Sequence, residues 1–265
     1  MKIILITGSH PRHKFIANKI AETGNLDLII SQKREPFVPQ PPENLDMNLS
    51  EMYVKHFNNR EKSENLFFGN SEWPLNNIFE INKEKQNSIE VYNLISKEKP
   101  DLLISYGCGI ISDEIINLAK KDAWNIHGGL SPWYKGGITL FWPSYMLEPQ
   151  MTGMTIHTLT NKLDAGDIIH QCAADLVRGD GIHDLACRAV FRVGQDIVKL
   201  INIFKKGKVF ETKAQKTNGK LWIGKDWRPE HLKLIYEFYN DNIVDMYLDG
   251  HLTQRKPKLH QQFTD

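Results

Sequence analysis

Short apolar runs alternate along the chain with stretches in which apolar residues recur every third or fourth position. Ile3 to Thr7 is such a run, broken by Gly8-Ser9-His10-Pro11, and Arg12 to Glu22 follows with Phe15, Ile16 and Ile20 at helical spacing. This predicts a strand, a tight turn and a helix. Leu26 to Ile30 is apolar except for Asp27 and lacks the polar alternation of a half-exposed strand, as expected of a parallel strand covered on both faces. Between Gln32 and Trp73 the pattern changes. Pro36, Pro39, Pro41 and Pro42 crowd together ahead of a charged segment carrying Met52, Phe57, Phe67 and Phe68, which predicts an extended loop and then a helix. From Asn87 the alternation returns, with a helix ending near Lys99-Pro100, a strand Asp101 to Tyr106, a glycine-rich turn, a helix Asp113 to Lys120 and a strand Ala123 to His127. Thr152 to Leu159 and Ile168 to Leu176 predict two more strands, and Ile182 to Lys206 a long helix with Val190, Val193, Ile197 and Leu200 on one face. Such alternation predicts an α/β fold with a doubly wound, mostly parallel sheet whose ligands gather at the carboxyl ends of the strands. Past Gly207 the pattern predicts a hairpin around Asn218-Gly219 and helices over Arg228 to Tyr239 and Asp241 to Leu248. The chain thus divides into a domain over 1–206, with a Pro-rich insertion at about 32–76, and a small helical C-terminal extension over 207–265.

Composition narrows the classes. Of 265 residues 41% are hydrophobic and 10% aromatic, enough for a full core. Lys and Arg number 33 against 32 Asp and Glu, and the net charge of +1 gives no field to attract nucleic acid. No stretch approaches the roughly 20 apolar residues of a membrane span, and the first residues lack the apolar length and cleavage site of a signal peptide. A cytoplasmic location is expected. Cys108, Cys172 and Cys187 lie far apart without zinc or disulfide spacing and read as reduced thiols.

The densest run of chemistry is Trp124 to Gly137, where an apolar strand gives way to a glycine loop. Strand side chains alternate faces, so Asn125 and His127 project together, an amide able to donate to a developing oxyanion beside an imidazole able to exchange a proton. In the second cluster, Leu163 to His170, a tight loop offers Asp164 as the carboxylate that raises a histidine's basicity and fixes its orientation. Gly8-Ser9-His10, at a strand-to-helix turn, could present amides to a phosphate. His157, His170 and His183 fall on different elements and suggest ordinary polar positions, so no metal site is expected. Trp133, Tyr134, Phe141 and Trp142 could stack on a base or sugar or serve packing.

The block N-I-H-G-G-L-S-P-x-Y-x-G, followed by T-G-M-T-I-H and L-D-A-G-D-I-I, resembles the N10-formyltetrahydrofolate-dependent formyltransferases from about residue 2 to about 205. That family includes glycinamide ribonucleotide formyltransferase, methionyl-tRNA formyltransferase and the N-formyltransferases of sugar nucleotides. The resemblance implies a Rossmann-like fold and transfer of a formyl group from N10-formyltetrahydrofolate to a primary amine, without a metal. It assigns proton transfer to His127, oxyanion stabilisation to Asn125, and orientation of His127 to Asp164. It also implies a pterin pocket formed by Tyr106, Gly107, Cys108, Gly109, Ile110 and Ile111 together with Leu163, Ala165, Gly166 and Asp167. On the acceptor side the expectation covers Gly8, Ser9, His10, Tyr134, Lys135 and Gly136. The chain departs from the family's common S-L-L-P-x-x-R-G, with Gly129 where Ser is usual and Lys135 where Arg is frequent. The insertion and the short extension favour the amine of a nucleotide-linked amino sugar as acceptor, used in surface polysaccharide such as lipopolysaccharide, with neither nucleic acid nor membrane as partner and with a homodimer as one assembly. The alternatives are an amino acid derivative, glycinamide ribonucleotide or methionyl-tRNA as acceptor, and a degenerate, non-enzymatic folate binder.

Overall fold

The computed structural model describes residues 1–69, 71–74, 77–216 and 220–263. Its first half runs β1 (Ile3–Thr7), α1 (Pro11–Ala21), β2 (Leu26–Gln32), α2 (Met47–Phe68), β3 (Ile78–Ile81), α3 (Ile89–Glu98), β4 (Leu102–Tyr106) and α4 (Asp113–Ile116). Then come β5 (Asp122–His127), β6 (Lys135–Gly136), α5 (Trp142–Tyr145), β7 (Gly153–Thr158), β8 (Ile168–Ala173), α6 (Ile182–Lys205), β9 (Leu221–Trp222) and α7 (Ile243–Leu248). Seven strands form one sheet in the order β3-β2-β1-β4-β5-β7-β8, parallel up to β5 and antiparallel from β5 to β7 and from β7 to β8. This is the doubly wound, mostly parallel α/β sheet expected of the sequence.

The unbroken apolar runs have a direct cause. Alternate residues of each strand serve two different cores: Ile3 and Leu5 of β1 join Leu102, Ile104, Trp124 and Ile126 under α1 and α6, while Ile4 and Ile6 join Leu28, Ile30, Leu103 and Ala123 under α3. Ile3, Ile4, Leu5 and Ile6 are all fully buried, each burial worth about 1.5–3 kcal/mol. Both sheet edges are managed. β3 is a short, half-exposed edge strand, and β8 is covered by the chain's end, with Gln171 N donating to His260 O at 2.8 Å and Lys213 bridging Ile168.

A third core lies apart from the sheet. Met52 and Tyr53 of α2 meet Tyr134, Phe141 and Trp142 of the loop after β5 and Trp222, Leu232, Ile235, Tyr236 and Ile243 of the C-terminal extension. Trp142 stacks on Trp222 with ring centroids 4.1 Å apart. The insertion, the loop after β5 and the extension are thereby packed as one body.

Several local expectations need correction. The helix expected over Asp113 to Lys120 lasts one turn, because Lys120 N and Lys121 N turn away to the carbonyls of Pro100 and Asp101. The strand β3 is not anticipated by the sequence reading. Arg228 to Tyr239 is not an α-helix; it is a 3-10 turn at Pro229–His231 followed by a π-helical segment, Lys233–Phe238. The wide turn places Ile235 and Tyr236 in the third core, with the Tyr236 hydroxyl reaching His56 Nδ1 at 3.0 Å. The hairpin expected at Asn218-Gly219 lies outside the described residues. Among the described residues no helix is long and apolar enough to cross a membrane.

Candidate active site

Three neighbouring strands present one polar row. Ser105 of β4 lies in register with Asn125 of β5, which lies in register with His157 of β7. Ser105 Oγ donates to Asn125 Oδ1 at 2.7 Å, which fixes the amide's orientation and sends both amide hydrogens the other way. Asn125 Nδ2 then donates to His157 Nε2 at 3.0 Å and to Asp164 Oδ1 at 3.3 Å. His157 Nε2 is therefore the acceptor nitrogen, and its Nδ1–H donates to the Thr158 carbonyl at 2.8 Å. Ser105 and His157 are site residues that the sequence reading missed, although His157 ends the T-G-M-T-I-H motif. Its place beside Asn125 required knowing that β7 runs antiparallel to β5.

His127 occupies the next outward position of β5 and is 5% exposed. Its Nε2 lies 2.8 Å from the Tyr134 carbonyl, which only accepts, so Nε2 carries a proton. Nδ1 faces Asp164 Oδ2 at 3.3 Å, and this is where a second proton is gained or lost. Burial pushes the imidazole below its ordinary pKa, against the pull of the Asp164 carboxylate and the Tyr134 carbonyl. For Asp164, burial works upward, but the His127 charge, when that ring is protonated, and the Gly136 amide outweigh it and hold the carboxyl below its usual value. The site at rest is thus a neutral imidazole against a carboxylate. Among the expected catalytic residues, Asn125, His127 and Asp164 come together.

The loops explain the glycines. A Cβ at Gly129 would lie 2.5 Å from the Tyr134 carbonyl and 2.7 Å from His127 Nε2, so only glycine lets the chain close over His127 here. That accounts for Gly where the family pattern has Ser. Asp164 has a left-handed φ of 46°. Its turn is held from the extension: Gln215 Nε2 donates to the Asp164 and Gly166 carbonyls at 2.9 and 2.7 Å. β9 pairs with β6, whose Gly136 N donates to Asp164 Oδ2 at 2.8 Å.

A cavity of about 640 Å³ opens from this constellation. Of the expected pterin-pocket residues, Tyr106, Gly107, Cys108 and Leu163 line it, and burial pushes the Cys108 thiol up to about 12, leaving it neutral. Gly109, Ile110 and Ile111 do not line it. Gly109 N and the Ile110 carbonyl are bonded by Gln86, and Ile111 is packed in the core under α3. Ala165, Gly166 and Asp167 lie behind it, where a Cβ on Gly166 would collide with the Thr158 carbonyl.

On the expected acceptor side His10 and Gly136 line the cavity, whereas Gly8, Ser9, Tyr134 and Lys135 do not. Gly8 is needed for packing, since its Cβ would meet the His13 ring at 2.8 Å. Two amides of the turn are already used: His10 N donates to His13 Nδ1 at 3.1 Å and Arg12 N to Glu64 Oε2 at 3.3 Å. The anion at the start of α1 is the protein's own Glu64 carboxylate. The Tyr134 ring turns away, its hydroxyl donating to Glu148 at 2.7 Å. Of the four aromatics that could have stacked on a ligand only Phe141 lines the cavity, joined by Tyr53, Phe57 and Trp227.

Comparison with known proteins agrees with this architecture. The chain is 30% identical over 126 residues to the bifunctional polymyxin resistance protein ArnA of Wigglesworthia glossinidia brevipalpis, covering 47% of this chain and 19% of that protein. It is 27% identical over 182 residues to the methionyl-tRNA formyltransferase of Clostridium acetobutylicum, covering 61% of this chain and 58% of that one. The chain therefore spans less than two thirds of the length of either relative. Its fold is shared with the formyltransferase PseJ of Anoxybacillus kamchatkensis, solved with UDP-4,6-dideoxy-4-formamido-L-AltNAc and tetrahydrofolate, at a TM-score of 0.51 and 19% identity over 91% of this chain and 95% of that one. Residues 1–199 match the formyl transferase family, and the chain belongs to it.

Proposed function

We propose that this chain transfers a formyl group from N10-formyltetrahydrofolate to the primary amine of a nucleotide-linked amino sugar. The observation that carries the reading is the Asn125, His127 and Asp164 constellation lining a cavity whose other wall combines the insertion, the loop after β5 and the extension. The near wall suits the donor's flat, neutral ring system. Ile126, Leu140 and Leu163 are apolar, the Cys108 thiol is neutral, and Tyr106 and Gly107 border the space beside it. When bound, the donor supplies the activated formyl carbon. His127 accepts the attacking amine's proton at Nδ1, the imidazolium is held between the Tyr134 carbonyl and the Asp164 carboxylate, and it returns that proton to N10 as the C–N10 bond breaks and tetrahydrofolate leaves. Asn125 offers an amide hydrogen to the developing oxyanion by giving up its longer contact, the 3.3 Å bond to Asp164, while Ser105 and His157 keep the amide oriented.

The acceptor class is supported by the far wall, where Tyr53, Phe57, Phe141 and Trp227 offer ring faces and edges beside arginines and histidines. PseJ, with the same fold, was solved with a nucleotide-linked sugar. Calorimetric titration with 5-formyltetrahydrofolate, followed by a panel of nucleoside diphosphates, tests the reading. Folate binding with selection of one nucleotide is expected. Folate binding with no nucleotide recognised would move the acceptor to an amino acid derivative or another small amine, and no folate binding would overturn the donor.

A further inference from the structure

The cavity has a second polar end, away from Asp164, where the turn after β1 meets the insertion: His10, Arg12, Arg34, Glu35, His56 and Arg60 line it. Charge there does not balance. Arg12 and Arg60 share the one carboxylate of Glu64, which is fully buried, with Arg12 Nε at 2.7 Å and Arg60 Nε at 3.1 Å from the same oxygen. One carboxylate thus faces two guanidiniums. The imidazoles of His10, His13, His56 and His183 are kept neutral by burial. The arrangement agrees: His10 Nδ1 accepts from Arg60 Nη2 at 3.2 Å, while its Nε2 donates to the Glu35 carbonyl at 3.1 Å.

Arg34 follows directly on the exit of β2 and adds a third guanidinium. Its charge is felt at His13, Cys108 and Glu35, and the Glu35 side chain belongs to an exposed residue. Arg34 Nε is buried and has no hydrogen-bond partner among the described residues. A buried donor without an acceptor is costly, and an excess of guanidinium over carboxylate in a cavity wall favours an anion. The Arg60 guanidinium is held in place, stacked over Phe37 at 4.7 Å.

We propose that Arg34, with Arg60 beside it, binds a phosphoryl group of the acceptor, so that the insertion and not the amides of the Gly8 to His10 turn carries acceptor selection. Strand order sets the reach: β2 lies three strand spacings from β5, roughly 14 Å. An acceptor with its amine at His127 and its phosphoryl group at Arg34 therefore carries a spacer between them, as a sugar phosphate does. The proposal rests on the formyl-transfer reading for the amine end only.

The test is calorimetric titration of wild type, Arg34→Gln and Arg34→Lys with inorganic pyrophosphate, UDP, dTDP and 5-formyltetrahydrofolate. Wild type is expected to bind pyrophosphate and at least one nucleotide. Arg34→Gln should weaken both about ten- to a hundredfold, the loss of a charge-assisted hydrogen bond, with folate affinity unchanged. Arg34→Lys keeps the charge without the planar fork and should fall between; it also serves if the Gln variant does not fold. Unchanged phosphate affinity in both variants overturns this site and leaves the formyl-transfer reading standing. An equal loss of folate affinity overturns it too, by assigning Arg34 to the donor. Wild type that binds folate but no phosphate probe removes both the phosphoryl site and the sugar-nucleotide acceptor.

Discussion

Gly129→Ala perturbs the site without removing any of its functional groups. The added Cβ would meet the Tyr134 carbonyl at 2.5 Å, His127 Nε2 at 2.7 Å and Thr139 Cβ at 2.9 Å. None of these is the free end of a flexible side chain. The first two are the partners of the 2.8 Å bond that fixes His127, so relieving the overlap means opening that bond. Overpacking a closed site costs about 1–3 kcal/mol, and a lost buried hydrogen bond adds about 1 kcal/mol. A total of about 2–4 kcal/mol corresponds to a fall in Tm of about 5–15 °C for a chain of this size. Turnover should suffer more than stability, because proton transfer by a positioned side chain contributes about 10²–10⁴-fold and the ring loses its fixed orientation. The assay pairs thermal unfolding with single-turnover release of tetrahydrofolate. A variant with wild-type Tm and wild-type turnover would refute both the closeness of the loop and the role given to the Tyr134 carbonyl.

His127→Ala should abolish transfer with native circular dichroism, and turnover retained in the folded variant would remove the assigned role. Asn125→Ala should lower kcat about a hundredfold or more with 5-formyltetrahydrofolate affinity preserved; little change would move the oxyanion contact to backbone amides. Gln215→Ala deletes the bonds of 2.9 and 2.7 Å that hold the Asp164 turn, costing about 1–2 kcal/mol and shifting the acid limb of the kcat profile, whereas an unshifted profile would reduce Gln215 to a structural brace. Stability should fall steeply with acid. His13, His56, His127 and His183 all have folded pKa values below the ordinary 6.5, His56 at about 3. The unfolded chain binds their protons first, so the stability they contribute is complete above pH 6.5. It is lost as pH falls through the range between the unfolded and folded values, for His56 between about 6.5 and about 3 at up to about 1.4 kcal/mol per pH unit. A flat unfolding free energy between pH 6.5 and 5 would contradict neutral imidazoles in these positions.

What was legible in the sequence was local. Parallel strands buried on both faces read as apolar runs, and the alternation of a strand was enough to put Asn125 and His127 on one side of β5. Asp164 was reached through a motif, and the fold brings it to His127. Ser105 and His157 were not legible, because their meaning lies in the register between strands distant in sequence. The Gly8 turn misled for a similar reason: whether amides at the start of a helix are free depends on what else docks there, and here the His13 ring takes the His10 amide and Glu64, 52 residues past Arg12, takes the Arg12 amide.

The insertion and the extension were the two segments to which the sequence assigned no work, and their contacts explain why neither could be read alone. Apolar positions of α2 are spread among charged ones because the helix packs on α6 and α1 as well as on the extension, and the helical spacing over 228–239 folds as a 3-10 turn and a π-helical segment that face this core. Tyr236 of the extension caps His56 of the insertion, which in turn bonds His183 of α6 at 3.1 Å. Trp227 closes the cavity over Phe57 and Phe141. This wall of the cavity is therefore one packed unit made from the insertion, the loop after β5 and the extension. Loosening Trp222 or Ile235 should weaken acceptor binding and leave the donor's side of the cavity intact, because the Tyr106 to Cys108 wall rests on the sheet and not on the third core.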